Sequence, residues 1–204
     1  MITLFAAVLS FKVIGIDCSA CAKPVVNAIS SVEGVKDVQL DWRNATARVD
    51  VPDGFDRTRI RRALNNAGFE VAFPGERVTA MEPLPDEVVR KLDISSDSGT
   101  SHININNLLA PGKITIVDFY ADWCGPCHVL ENRLQHYMQD KPAIALRRVN
   151  IGKWDNEAAK QATREFRAEA LPYIRVYDAS GKFVTAVTGG MWDEVLAAIQ
   201  KAQR

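Results

Sequence analysis

Cysteine and histidine are scarce in this sequence, with four cysteines and three histidines in 204 residues. Acidic and basic residues balance at 25 each, so no net charge attracts nucleic acid or an anionic membrane surface. No apolar run approaches the ~20 residues that a transmembrane helix needs. A disulfide-stapled secreted scaffold is disfavoured, because such chains place more cysteines in a shorter length. We therefore expect one or two folded domains, no nucleic-acid partner and no transmembrane segment.

The apolar run ITLFAAVL at positions 2–9 allows two interpretations. It is either the end of a trimmed signal peptide, with cleavage near Ser10, or an extension of the first strand. No basic residue precedes it, which is unusual for a signal peptide. The first interpretation places the protein in the bacterial periplasm or envelope, and the second in the cytoplasm. The residues leave both open.

All four cysteines fall in two pairs with the same spacing: Cys18 with Cys21, and Cys124 with Cys127. Two residues separate the partners in each pair, and none remains for a long-range disulfide. This spacing is typical of redox-active dithiols and of metal-binding loops. The cysteines therefore predict chemistry and not a structural framework.

The residues up to the linker predict a small α+β domain, residues 10–74. The hydrophobic pattern alternates between periods of two and 3.6 in the order β-α-β-β-α-β. Asp56 is placed to cap the second helix, and Gly68 to end it. This order is the split βαβ of ferredoxin-like folds.

The segment 75–101 predicts a linker, because it holds prolines and a cluster of serine, aspartate and glycine. We expect one or two helical turns around positions 86–92 within it. The second domain, 102–204, follows with a short strand at 102–105. Its pattern β-α-β-α-β-α-β-β-α requires an α/β fold, a central mixed sheet flanked by helices on both faces. Asp155 is the expected cap of a helix over 156–166.

The second cysteine pair lies where a helix is predicted to begin, at about Pro126. A cysteine at a helix N-terminus faces unpaired amide N–H groups and the positive end of the dipole. In such sites the thiol pKa falls from ~8.5 to roughly 7. We therefore expect Cys124 to be the attacking thiol, and Cys127, one turn inside the helix, to be the resolving thiol.

The stretch from Ile103 to Lys201 resembles thioredoxin, since Trp123 to Cys127 spells the WCGPC pentapeptide of that family. The resemblance implies a thioredoxin fold and a disulfide reductase that needs no cofactor for its redox chemistry. It also implies disulfide-bearing protein clients and an upstream thiol reductant. Asp118 matches the family's buried aspartate, which relays a proton to the resolving cysteine.

Leu171, Pro172 and Tyr173 match the thioredoxin cis-proline loop and, with Trp123, are expected to bind substrate. Arg148 falls where the family usually has a lysine near the buried aspartate. Two positions on the active-site helix depart from the family. These are Asn132, where a proline is frequent, and His128, where lysine or arginine is common.

The first cysteine pair, in GIDCSAC, resembles the heavy-metal-associated domain of copper chaperones and mercury-binding proteins. Cys18 and Cys21 match the two thiolate ligands, and Gly15 matches the glycine of the signature. Ile16 replaces the usual methionine, which anchors the loop. The tripeptide 67–69 resembles the Gly-aromatic pair beneath the metal loop.

Two thiolates favour a soft ion of low coordination number, Cu(I) or Hg(II), whereas zinc prefers four ligands. The spacing equally fits a redox pair that the second domain reduces. The chain is thus predicted to be a thiol–disulfide oxidoreductase of thioredoxin type with an N-terminal domain that binds a soft metal or acts as a redox partner. The alternative is a metallochaperone whose thioredoxin domain keeps the ligand cysteines reduced. Either function allows a metal donor or acceptor protein as partner.

Overall fold

The computed structural model of the chain describes residues 6–16, 19–76 and 81–204. It divides into two compact units, Met1–Ala80 and Met81–Arg204. Within the described residues, no helix has the length and apolar character needed to cross a membrane.

The first unit is a four-stranded sheet with two helices in the predicted β-α-β-β-α-β order. Its elements are β1 (Ala6–Ile14), α1 (Ala22–Ser30), β2 (Lys36–Asp41), β3 (Thr46–Pro52), α2 (Thr58–Asn66) and β4 (Glu70–Ala72). All strand pairs are antiparallel, in the sheet order β2-β3-β1-β4. The ferredoxin-like fold is therefore confirmed. A short 3-10 helix, Ser19–Cys21, leads into α1.

The apolar run near the N-terminus contributes to β1. Residues 6–9 of this run pair with β3, with Leu9 opposite Val49. Positions 2–5 lie outside the described residues. Ahead of α2, Asp56 accepts hydrogen bonds from the backbone N–H and hydroxyl of Thr58, so its side chain satisfies a donor at the helix start as predicted, although Arg57 occupies the N-cap position. Gly68 follows the helix with a φ of +83°, a conformation that glycine adopts without strain.

The second unit has a five-stranded mixed sheet in the order β5-β7-β6-β8-β9. Its strands are β5 (Ile94–Asp97), β6 (Ile114–Tyr120), β7 (Ile144–Asn150), β8 (Tyr173–Tyr177) and β9 (Phe183–Thr188). Its helices are α3 (Asp86–Val89), α4 (Ile105–Leu108), α5 (Gly125–Met138), α6 (Glu157–Arg164) and α7 (Trp192–Ala202). β6 pairs parallel with β7 and antiparallel with β8. This is the predicted thioredoxin fold.

β6 is buried along its whole length, since both faces of the sheet carry a core. On one face Val117 and Phe119 pack with residues of α6. On the other face Ile114 and Ile116 pack with residues of α5 and α7. Because strand residues alternate between faces, Asp118 lies on the same face as Ile116, toward α5.

The predicted linker over 75–101 is wrong for most of its length. The second unit begins at Met81, and β5 pairs parallel with β7. Asp93 anchors the segment, since it forms ion pairs with Lys113 at 2.7 Å and Arg147 at 2.8 Å. At Gly99 a Cβ would lie 2.0 Å from the carbonyl oxygen of Asn150, so only glycine allows this close approach.

Two local predictions in the second unit are also wrong. Positions 102–105 do not form a strand, because Asn104 accepts a hydrogen bond from Asn106 N–H and starts the short helix α4. At α6 the cap is Asn156, whose side chain accepts from Ala159 N–H, and not the neighbouring Asp155.

Candidate functional site

The second cysteine pair forms a disulfide at the N-terminus of α5. The two sulfurs are 2.08 Å apart. Cys124 is the N-cap residue, and its Sγ accepts a hydrogen bond from Cys127 N–H at 3.3 Å. Cys127 is fully buried and Cys124 is 3% exposed, so the pair presents only Cys124 to solvent.

Trp123 lies in the loop between β6 and α5. Its Nε1–H donates to the carbonyl oxygen of Gly152 at 2.6 Å, which fixes one end of the indole. The residue nevertheless remains 40% exposed, one of few large apolar residues on the described surface. An apolar ring held rigidly beside the disulfide provides a contact surface for a client protein.

The peptide bond between Leu171 and Pro172 is cis. Tyr173 pairs with Phe119 near the end of β6, so the proline lies at the sheet end from which the chain leads to the disulfide. The Pro172 carbonyl oxygen accepts from Gly189 N–H at 2.7 Å. The predicted substrate contact Tyr173 differs from this proline, because Tyr173 is 4% exposed and its hydroxyl donates to the carbonyl oxygen of Phe166 at 2.8 Å. Its side chain therefore supports the loop from within.

Asp118 lies in a buried network of charges beneath α5. Its Oδ2 accepts a hydrogen bond from Nε of Arg148 at 3.2 Å. The Arg148 guanidinium stacks 3.6 Å from the ring centroid of Tyr120, and its Nη1 pairs with Oε1 of Glu131 at 2.8 Å. Arg148 thus occupies the position where the thioredoxin resemblance places a lysine.

One oxygen of this carboxylate has no partner. Among the described residues, no hydrogen bond reaches Asp118 Oδ1, which is buried. Burial raises the pKa of Asp118 to about 6, although the Arg148 guanidinium opposes this shift. A buried carboxylate with a pKa near neutrality and a vacant oxygen is suited to exchange a proton.

The raised pKa predicts that Asp118 destabilises the protein above pH 6. Between about pH 4 and 6 the native state binds the proton more tightly than the unfolded chain, so stability falls as pH rises through this range. We expect Asp118→Asn to remove this loss and raise the free energy of unfolding near pH 8 by up to about 3 kcal/mol. Denaturant unfolding of both proteins at several pH values measures this difference in the free energy of unfolding. Asp140→Asn, at an exposed site, is the control, and a pH-independent difference would contradict the prediction.

Asn132 and His128, the two residues on α5 that depart from the thioredoxin pattern, both hydrogen-bond to backbone carbonyl oxygens. The Asn132 amide nitrogen donates to the Met81 carbonyl oxygen, and one turn later His136 Nε2 donates to that of Glu82 at 2.9 Å. These bonds attach the start of the second unit to the active-site helix. His128 Nε2 donates to the carbonyl oxygen of Asp122 at 2.9 Å, so it braces the active-site loop.

The candidate metal loop of the first unit is only partly described. Cys18 lies outside the described residues, as does Asp17. Cys21 ends the 3-10 helix and is buried at 8% exposure. It shares a core cluster with Ile16 and Phe69, so isoleucine fills the apolar anchor position and the predicted aromatic belongs to the same core.

Sequence reasoning missed Glu131 and Tyr120 as parts of the site. Both touch Arg148, which comes from another strand, and no local pattern indicates that contact. The available signal was helical periodicity, because Glu131 lies four residues after Cys127 and thus on the same face of α5.

Comparison with known proteins agrees with this geometry. The thioredoxin family model matches residues 100–201, half of the chain, and the heavy-metal-associated domain model matches residues 10–70. Thioredoxin H2 of Arabidopsis thaliana is 30% identical over 129 residues, which cover 62% of this chain and 90% of that protein. The thioredoxin of Coprinus comatus is 29% identical over 97 residues, 48% of this chain and 88% of that protein.

Two solved structures are similar to separate parts of the chain. The short form of thioredoxin f from spinach chloroplast is 20% identical, with a TM-score of 0.45, and the match covers 55% of this chain and 95% of that one. Oxidized MerP from Ralstonia metallidurans CH34 is 30% identical, with a TM-score of 0.33, and the match covers 34% of this chain and 97% of that one. With its disulfide at the start of α5, the second unit is a thiol–disulfide oxidoreductase. The chain belongs to the thioredoxin family and carries a heavy-metal-associated domain ahead of its thioredoxin domain.

Proposed function

We propose that Cys124 attacks the disulfides of client proteins, that Cys127 resolves the product, and that the first domain carries a soft metal ion as cargo. One observation carries the redox assignment. The disulfide begins a helix, and of its two cysteines only Cys124 keeps any exposure, 3%, while Cys127 is fully buried. The two sulfurs therefore have different access to a client and need different roles.

In the first step the reduced Cys124 acts as a thiolate, which the helix N-terminus favours. Its sulfur attacks one sulfur of the client disulfide and forms a mixed disulfide. The client's other sulfur leaves as a thiolate and takes a proton from solvent. The exposed Trp123 ring and the loop of Leu171 and Pro172 are the surfaces for holding the client.

In the second step Cys127 must lose its proton inside the protein. Asp118, on the sheet face toward α5, has the vacant oxygen Oδ1 to accept it. The Cys127 thiolate then attacks the Cys124 sulfur, which releases the second client thiol and restores the disulfide. The client gains two electrons, which an upstream thiol reductant must later return to the pair.

The donor set of the first domain suits a soft metal. Its two cysteines are the only ones in residues 10–70, and the three histidines all lie in the second unit. Among the described residues, no group of three or more His, Cys, Asp or Glu side chains could hold a metal. Two thiolates satisfy Cu(I) or Hg(II), while Zn²⁺ would lack ligands. A metal donor or acceptor protein is then a further partner.

The order of attack is tested with Cys127→Ser in a background that also carries Cys18→Ser and Cys21→Ser. This variant is expected to accumulate a mixed disulfide between Cys124 and a disulfide-bearing client, because no thiol is left to resolve it. Mass spectrometry under non-reducing conditions identifies the linked cysteine.

The matched control is Cys124→Ser in the same background, which keeps Cys127. We expect it to trap little client, since Cys127 is buried. Equal trapping by both variants would contradict the assigned roles of Cys124 and Cys127.

A further inference from the structure

Glu131 connects the active-site helix to the buried charges. It lies one turn after Cys127 on α5, and its carboxylate is 2.8 Å from Nη1 of Arg148. Its side chain is 24% exposed, while those of Arg148 and Asp118 are 7% and 0% exposed. The Arg148 guanidinium thus connects the partly solvent-exposed carboxylate of Glu131 to the fully buried carboxylate of Asp118.

Arginine keeps its charge under all conditions in which proteins fold. A lone guanidinium beside Asp118 would favour the ionised carboxylate and make it a poor proton acceptor. The Glu131 carboxylate offsets that charge. It also fixes the guanidinium on Oδ2, together with the Tyr120 ring on its flat side, so Oδ1 stays vacant.

We propose that Glu131 is a positioning residue of disulfide exchange, which holds and neutralises Arg148 so that Asp118 accepts the proton of Cys127. This inference rests on the proposed function of Asp118. In this role Glu131 acts through two other side chains, those of Arg148 and Asp118.

Three elements place other groups around Asp118, and none of these groups is a carboxylate that could offset the charge of Arg148. From α5, His128 also acts on Asp118 electrostatically; its Nε2 donates to the Asp122 carbonyl oxygen, and its Nδ1 lies 4.0 Å from Oε2 of Glu131. From β7 the charged group is Arg148, and from β8 the paired residue is the apolar Ile174. Tyr120, on the same strand, contacts the guanidinium.

The test measures the resolving step directly. The full chain with Cys18→Ser and Cys21→Ser is reduced and mixed with excess 5,5′-dithiobis(2-nitrobenzoate) in a stopped-flow instrument. Attack by Cys124 releases one coloured thiolate, and resolution by Cys127 releases the second. The rate of the second phase is followed against pH, and we expect it to rise through a midpoint near the Asp118 pKa of about 6.

Glu131→Gln keeps the length of the side chain and removes its charge. We expect the midpoint to fall by about one pH unit, because Arg148 then favours the ionised carboxylate. The plateau rate should fall about threefold, since a less basic carboxylate takes the proton less readily. Glu131→Asp, which restores a carboxylate, should move the midpoint back toward its original value. Glu157→Gln, an exposed acid on α6, is the control with the same change in charge and should leave both values unchanged.

A double-mutant cycle separates positioning from structural support. In the Asp118→Asn background, Glu131→Gln should no longer move the profile, because the group through which it acts is gone. An unchanged midpoint in Glu131→Gln, while Asp118→Asn alters the profile, would overturn the role of Glu131 and leave the proposed function standing. If Asp118→Asn itself leaves the profile unchanged, both assignments fail.

Discussion

Cys124→Ser is expected to abolish the reduction of insulin disulfides by this protein, leaving only the rate of the chemical reductant alone. The hydroxyl of serine is not ionised at neutral pH and does not attack a disulfide sulfur. Cys127 cannot replace it, because it is fully buried behind the helix start. The measurement is the turbidity of precipitating insulin B chain with dithiothreitol as the electron source.

The control is the double variant Cys18→Ser and Cys21→Ser, which makes the same kind of substitution at both cysteines of the first domain. We expect it to reduce insulin at nearly the original rate, because within the described part of the chain the exposed Trp123 and the cis Pro172 both belong to the second unit. A similar loss in both variants would show that the first pair takes part in reducing external clients.

The second large effect concerns the metal. Cys18→Ser or Cys21→Ser should weaken Cu(I) binding by more than about 100-fold. Losing a residue that only hydrogen-bonds to a metal ligand already lowers metal affinity by about 10–100-fold, and each of these variants loses a ligand itself. Two thiolates are the whole expected ligand set, so each variant leaves a single soft ligand. Competition with the chromophoric chelator bicinchoninate, on reduced protein without oxygen, measures the affinity.

Cys124→Ser with Cys127→Ser is the matched control and should keep its Cu(I) affinity. Retention of tight binding in the Cys18→Ser and Cys21→Ser variants would place the metal elsewhere. Absence of Cu(I) and Hg(II) binding in the original protein would instead favour the redox-pair interpretation, in which Cys18 and Cys21 are a substrate of the second domain.

The fold was largely predictable because its strongest signals are local. The unbroken apolar run of β6 indicates a strand buried on both faces, and both glycine and capping residues fix the ends of α2. β5 escaped prediction because Ile94–Asp97 is short and mostly polar, and its pairing with β7 is a long-range contact. The caps at Asp155 and Asn156 differ by one residue, and both side chains suit the position.

The site was predictable to the same extent: its local motifs were found, and its long-range contacts were not. The dithiol, the aspartate and the proline lie in motifs that the sequence presents directly. The roles of Glu131 and Arg148 depend on a contact between a helix and a strand, made by two residues that are 17 positions apart in sequence. The inward side chain of Tyr173 depends on which face of β8 meets the core, and the motif alone does not specify that.

The placement of β5 determines what a shortened protein would expose. A fragment that begins at residue 102, as the expected domain boundary suggests, removes β5 and leaves the outer backbone groups of β7 without partners. An unpaired strand edge is a template for pairing with another chain, and β7 is rich in apolar residues. Ile94–Asp97 therefore protects the protein against aggregation. This short, mostly polar strand forms the edge of the sheet and covers β7, a longer and more hydrophobic strand that could otherwise pair with β7 of another copy of the chain.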